Sequence, residues 1–279
     1  MTLVEPCCGT AALTLHLLGA RRQLVPRQGS KWRLRRELAA MMSVGPPARV
    51  VLSDASPWAL VIREVLGNRA ALLRHLGGLV ADGERDPRAL HSSLSGAAVP
   101  EEPARMAAEL LWLQRMAFAG KCVRVVDGRW SSPGLNLTSA LGVAKTERFG
   151  AVRPLGQSLL GVVRAAPQFD VAAAIGLARP SDETGQVVVY LDPPYSGTTG
   201  YGPGDLNRAG VVALAEEWAA SGAAVFVSEA TAVDELVAQG WSSAPLGAVG
   251  GQSQLFRAKH RTEWVTWRGQ AQASLWVAA

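Results

Sequence analysis

At 279 residues, 48% hydrophobic and 18% charged, the chain can build a sizeable core and is too apolar for a disordered polymer. No run approaches the roughly 20 uninterrupted apolar residues that span a bilayer, so a soluble globular protein with no membrane partner is expected. The 28 Lys+Arg against 23 Asp+Glu give +5, which fits a polyanionic partner without demanding one.

The basic excess is concentrated. Arg21, Arg22, Arg27, Lys31, Arg33, Arg35 and Arg36 occur with no acid between Arg21 and Arg36, a run that reads as a solvated helix face or as a phosphate or carboxylate contact. Cys7, Cys8 and Cys122 are too few for a disulfide framework, and the opening MTLVEPCCG carries no readable secretion signal, so the expected compartment is the cytoplasm. Four scattered His and no CxxC pair argue for no metal.

In chain order, Thr2 to Glu5 reads as a short strand, followed by a turn through Pro6, Cys7, Cys8 and Gly9 and an apolar helix ending near Gly19. A basic helix is predicted from Lys31 to Met42, stopped by Gly45, Pro46 and Pro47. ARVVLSD is a strand ending at Asp54, and WALVIREVLGN is the helix after Pro57. The region from 67 to 165 carries helices at Arg69 to Val80 and Pro103 to Ala117, weak strand signals and a Gly/Ser/Asn/Thr-rich stretch. VVVYLD is a buried-type strand ending at Asp192, then come the helix RAGVVALAEEWAASG, the strand AAVFVSEA, the helix AVDELVAQ and the terminal strand RTEWVTWRG. Strands alternating with helices at both ends predict an α/β fold, a mostly parallel twisted sheet covered on both faces.

Ligands bind beyond the carboxyl ends of the strands in such sheets. Three polar corners sit there: Glu5 to Gly9, Asp54, and Asp192 to Tyr195. The first is either a helix-starting turn or a site whose acid suits a cationic group such as an amino-acid ammonium; it lacks the GxGxxG dinucleotide pattern. Asp54 suits ribose hydroxyls or serves as a helix N-cap. In Asp192-Pro193-Pro194-Tyr195, a carboxylate, carbonyls freed by proline geometry and a flat ring together suit an amine on a flat heterocycle.

These residues resemble the DNA adenine methylase (Dam-like) family. LVEPCCGTAALTLHLL is similar to its first cofactor motif, usually EPFxGxG; VVLSDASPWALVIREV resembles its LxDxN segment; and VYLDPPYSGTTGY resembles its DPPY segment. LLWLQRMAFAGKCVR resembles LxLNRxxYNG in the target-recognition region, and FVSEATAVDELVAQGW with KHRTEWVTW resembles the last strand, helix and terminal hairpin. The departures are Cys7 for an aromatic residue, Ala11 for the second Gly, Ala119 for an Asn, and the order of motifs. The segment similar to KWxGGK, here Arg27-Gln28-Gly29-Ser30-Lys31-Trp32, follows the first cofactor strand instead of preceding it.

The resemblance implies a Rossmann-like class I S-adenosylmethionine methyltransferase sheet at 1–66 and 166–279, with a mainly helical target-recognition insert at 67–165. It also implies a site-specific N6-adenine DNA methyltransferase working by base flipping and direct in-line transfer. Asp192, Pro193, Pro194 and Tyr195 are its implied catalytic set, and Glu5, Pro6, Cys7, Gly9, Gly29, Ser30, Lys31, Asp54 and Asp192 hold S-adenosylmethionine. Lys31 reaches the cofactor carboxylate in this reading, or is a surface cation of the basic helix in the alternative; exposure to solvent, more than about 10 Å from the Glu5 to Gly9 turn, would sink the assignment.

Double-stranded DNA is the implied partner of a chain expected to act as a monomer. Arg115, Lys121, Arg124, Arg129, Lys145, Arg148 and Arg153 are candidates for phosphates, or ordinary surface charges, and Asn136 for a base edge. Trp112, Trp218, Trp264 and Trp267 read as packing residues. The rivals are cytosine-N4 or RNA adenine methylation and, from another class, an inactive cofactor-binding DNA-binding protein.

Overall fold

The computed structural model describes residues 1–25, 30–136, 155–180, 185–195, 206–249 and 261–269. It is a mixed α/β structure compatible with a Rossmann-like fold. By internal contacts the chain divides into two units: Met1–Gly19, Lys31–Ala59 and Asp170–Ala279 form one, and Ala20–Ser30 with Leu60–Phe169 form the other. The expected insert of 67–165 compares with Leu60–Phe169, to which Ala20–Ser30 adds.

Among the described residues, the first unit is built on a seven-stranded sheet. Its strands are β1 (Thr2–Glu5), β2 (Arg49–Asp54), β5 (Ala172–Ile175), β6 (Val187–Leu191), β7 (Ala224–Glu229), β8 (Ser242–Val249) and β9 (Arg261–Arg268). The order is β5-β2-β1-β6-β7-β9-β8, with β5, β2, β1, β6 and β7 parallel and β9 antiparallel to both β7 and β8. The helical elements are α1 (Ala12–Leu17), a 3-10 turn at Lys31–Leu34, α2 (Arg35–Met42), the start of α3 (Trp58–Gly67), α8 (Arg208–Ala220) and α9 (Asp234–Val237).

The central strands are apolar at successive positions because both their faces are buried, and alternate side chains go to opposite faces. Leu3, Val188, Tyr190, Phe226, Val265 and Trp267 pack with Leu13, Leu34, Leu38, Met41 and Met42 on one face. Val4, Val189, Leu191, Val225 and Val227 pack with Val211, Leu214, Ala215, Trp218, Leu236 and Trp241 on the other. The hydroxyl of buried Tyr190 pairs with Ser228 Oγ at 2.8 Å, so the polar end of an otherwise apolar layer is satisfied. Pro245 sits in β8, which is an edge strand, beside a register shift between Pro245 and Gly247; an edge tolerates the missing N–H.

The second unit contains α4 (Arg69–Arg85), α5 (Pro87–Leu94), α6 (Pro103–Met116), the hairpin β3 (Arg124–Val126) and β4 (Arg129–Ser131), and α7 (Leu155–Arg164). Asp86 caps α5 by accepting from the N–H groups of Arg88 and Ala89 at 3.0 Å. The hairpin turns through Asp127 and Gly128 at φ 49° and 70°, the doubly left-handed turn that Asp-Gly favours. Buried Trp130 donates to buried Glu109 at 2.8 Å, which ties β4 to α6.

Gln114 on α6 is fully buried and satisfies three backbone groups. Its amide nitrogen, Nε2, donates to the Lys121 carbonyl at 3.0 Å and the Gly120 carbonyl at 3.4 Å, while its Oε1 accepts from the Val123 N–H at 3.1 Å. Gln114→Leu strands those groups without water, and a loss of about 2–4 kcal/mol is expected. Urea unfolding checks it; an unchanged midpoint would show that the segment finds other partners.

Candidate active site

In the order β2-β1-β6-β7, the parallel sheet grows in opposite directions from the β1/β6 boundary, and that reversal is where open α/β sheets bind ligands beyond their strand ends. Glu5 to Gly9 follows β1 and Asp192 to Tyr195 follows β6, with Asp54 ending the neighbouring β2. The three polar corners therefore share one edge of one sheet. The thiol of Cys7 is pushed up by burial and then by the charges of Asp54 and Asp192, so electrostatics also join the corners.

At the first corner Glu5 is 2% exposed and accepts from the Thr14 N–H at 2.9 Å and from the Thr14 hydroxyl. It thereby holds the turn against the start of α1. Gly9 and Ala11 both take φ 47°, and Ala11, standing where the resembled motif has Gly, carries a left-handed conformation that costs an L side chain about 1–2 kcal/mol. Burial pushes Glu5 up to about 7, a rise opposed by its Thr14 hydrogen bonds and aided by Asp192.

A carboxyl raised in the folded state stabilises most below its ordinary value and loses that contribution as pH rises. Stability should fall by roughly 3 kcal/mol from Glu5 as pH climbs from about 4.5 to about 7. Urea titrations at pH 5 and pH 8 test this: Glu5→Gln should lose less than the parent chain over that interval. Equal losses would refute it.

Asp54 ties two turns together. Oδ2 accepts from the Gly9 N–H at 2.8 Å, and Oδ1 accepts from the Ser56 N–H at 2.9 Å and from its hydroxyl. The local-capping reading is thus present in the structure, and it fixes the Gly9 turn as well. Ser53 Oγ extends the lacing, donating to the Pro6 carbonyl at 3.2 Å and accepting from the Ala178 N–H at 2.7 Å.

At the third corner Lys31 is 5% exposed, so it is no surface cation. Its Nζ lies 2.7 Å from Asp192 Oδ1, 3.4 Å from Glu263 Oε1 and 4.5 Å from the centre of the Tyr195 ring. Burial opposes its charge, but Asp192 and Glu263 outweigh that and hold it above the ordinary lysine value. The Tyr195 hydroxyl donates to Glu263 Oε1, and its ionisation is pushed far up by burial and by Asp192 and Glu263. Glu263 is itself pushed up to about 6, first by burial, with Lys31 pulling it down and Asp192 pushing it up.

The basic run divides around Lys31. Arg33 and Arg36 are exposed, and Arg35 donates to the Trp32 carbonyl at 2.6 Å and stacks on the Trp32 ring at 4.4 Å, so the described cations after Lys31 do not enter this network. Gly29, Arg27 and Gln28 lie outside the described residues, while Ser30, Pro6, Pro193 and Pro194 lie within them.

Sequence reasoning missed Glu263. β9 runs antiparallel to β7, with Trp264 opposite Glu229, so its first residues sit at the carboxyl edge of the parallel strands. Glu263 is in phase with buried Val265 and Trp267, and an acid on the apolar side of an alternating strand was the available signal.

The expected DNA-facing residues are all in the second unit. Lys121 and Arg129 are exposed, and Arg124 and Asn136 are half-buried, Asn136 donating its backbone N–H to the Met116 carbonyl at 2.8 Å. Arg115 is half-buried, donates weakly to Ser158 Oγ at 3.4 Å and leaves Nε buried without a described partner; burial lowers its pKa. It is packed more than a phosphate contact requires. Lys145, Arg148 and Arg153 lie outside the described residues. Trp112, Trp218 and Trp267 are buried and Trp264 is half-buried.

Among the described residues no helix is long and apolar enough to cross a membrane, and no group of three or more His, Cys, Asp or Glu could hold a metal ion. No protein-family model matches the chain, and no curated protein is significantly similar to it.

Proposed function

We propose that this chain is an S-adenosylmethionine-dependent methyltransferase acting on the 6-amino group of adenine in double-stranded DNA. The observation that carries the reading is the Asp-Pro-Pro-Tyr segment at the carboxyl end of β6, beside the β1/β6 reversal, with its Asp192 held by a buried lysine. The resemblance of the flanking motifs supplies the chemical identity.

The residues at the first two corners fit such a cofactor. Gly9 and Asp54 present a backbone turn and a half-buried carboxylate at the strand edge; Oδ1 is taken up by the two Ser56 donors, while Oδ2 has lone-pair capacity beyond its bond from Gly9. Glu5, sealed on Thr14, would serve by holding the loop. When bound, S-adenosylmethionine supplies an electrophilic methyl group on a sulfonium that departs as a neutral thioether.

The chain's own residues supply orientation. A duplex adenine must leave the stack at a cost of a few kcal/mol, and the Tyr195 ring is a face on which it could rest. Asp192 and the Pro193 carbonyl would accept hydrogen bonds from the two amine hydrogens, drawing the nitrogen lone pair out of conjugation and aiming it along the line of transfer; the methylated nitrogen, cationic once the N–C bond forms, then loses one of those protons by way of the Asp192 carboxylate to water. A carboxylate has enough lone pairs for Lys31 and an amine together. The exposed Lys121 and Arg129, the latter also donating to the Gly96 carbonyl at 2.9 Å, would meet phosphates.

Transfer of tritiated methyl groups to DNA and to RNA, followed by nucleoside analysis, tests the reading. N6-methyladenine in DNA is expected. N4-methylcytosine, or label in RNA, would keep the chemistry and change the substrate; cofactor binding without any transfer would leave only a binding protein.

A further inference from the structure

Lys31 carries one positive charge between two carboxylates. If both acids are ionised the cluster is net negative, and the cation cannot fully neutralise either partner. Asp192 is the nearer at 2.7 Å and Glu263 the farther at 3.4 Å. Glu263 is also the more enclosed, its side chain 4% exposed against 21% for Asp192. One oxygen of Glu263, Oε1, faces the ammonium and accepts the Tyr195 hydroxyl at the same time. The ammonium in turn lies over the Tyr195 ring, so ring, cation and acid each touch the other two.

We infer that Glu263 is a positioning residue of the amine site: it fixes the plane of the Tyr195 ring and takes a share of the Lys31 charge, leaving Asp192 a stronger acceptor, a role that rests on the amine-methylation reading above. A tyrosine has two rotatable side-chain bonds, and a base can stack productively only on a ring whose plane is set. The hydroxyl is the far end of that lever, and Glu263 holds it. A carboxylate wholly neutralised by an ammonium is a weaker acceptor for an amine hydrogen than one whose counter-ion is shared. Because β9 supplies Glu263 from the antiparallel end of the sheet, it completes a site otherwise made from the ends of β1, β2 and β6 and the 3-10 turn that carries Lys31.

Steady-state transfer to DNA by Glu263→Gln, Glu263→Leu, Tyr195→Phe and the Glu263→Leu/Tyr195→Phe pair tests the role. Gln keeps an acceptor for the hydroxyl and removes the charge. It should lower kcat about tenfold, with KM for DNA within about threefold. Tyr195→Phe should lower kcat in the parent chain and lower it no further in the Glu263→Leu background, since the two changes break one contact. A parental kcat in Glu263→Gln overturns the role, as does a Tyr195→Phe loss of equal size in both backgrounds. If Glu263→Leu does not fold, Glu263→Gln still decides. Absence of transfer by the parent chain removes the methylation reading and this role together, whereas parental transfer with an unaffected Glu263→Gln removes the role alone.

Discussion

Asp192→Ala is expected to abolish methyl transfer, by about a thousandfold or more, while S-adenosylmethionine binding survives. The magnitude follows from removing a preorganised acceptor aimed at the reacting amine, an effect usually worth about 10²–10³ in kcat, together with loss of the counter-charge that places Lys31. Asp192 Oδ1 is nearer that ammonium than Glu263 Oε1, and the variant removes it while Glu263 and the Tyr195 face stay in place. The Glu5 to Gly9 turn is laced by Thr14, Asp54 and Ser53, none of which needs Asp192, and that is why cofactor affinity should persist. Single-turnover transfer and calorimetric cofactor binding, measured on the same preparation, check both halves. Turnover near the parental rate would remove Asp192 from the catalytic role, and loss of binding would make it a cofactor ligand first.

Lys31→Met is expected to cost about 3 kcal/mol of stability near neutral pH, the lower end of what breaking a buried ion pair costs, because Asp192 retains some access to water. The variant leaves two carboxylates repelling one another beside half-buried Tyr195. The cost should also depend on pH with a definite sign. Glu263 already sits at about 6 in the folded chain, above the ordinary glutamate value, so its contribution is greatest below about pH 4.5 and declines as pH rises through 6. Without Lys31 the largest influence pulling Glu263 down is gone, leaving the Tyr195 hydrogen bond, and the decline should extend to higher pH and deepen. Lys31 itself, raised above the ordinary lysine value, contributes throughout the neutral range and loses that contribution only in strong alkali. Urea unfolding at pH 5 and pH 8 should therefore show a wider gap between parent and variant at pH 8. A gap of the same size at both would refute the charge account and leave only lost packing.

Much of the sheet was legible because its central strands are buried on both faces. VVVYL and AVFVS are continuous apolar runs of strand length, and β6 and β7 fall on them. β5 was not legible: Ala172 to Ile175 is a run of alanines ending in isoleucine, a sequence with no strand preference of its own, and pairing with β2 decides its state. The hairpin at Asp127-Gly128 and the cap at Asp86 before Pro87 carried local signals that were passed over, because neighbouring apolar periodicity is weak there. α4 runs on to Arg85, past Val80, since its last turn is polar and leaves no apolar stripe to read.

The amino-acid sequence alone determined the alternation of strands and helices, the three polar strand ends and the Asp-Pro-Pro-Tyr segment, since each depends on residues adjacent in the chain. Tertiary structure alone decided which charges meet. Lys31 reaches Asp192 across 161 positions, and Tyr195 reaches Glu263 across 68. No local pattern encodes such distances; they follow from strand order, which brings β6 beside β1 and turns β9 back along β7 so that its acid enters at the same edge. The basic run was visible in the sequence, but burial singled out one of its members, because only a lysine paired with carboxylates can leave water without losing its charge.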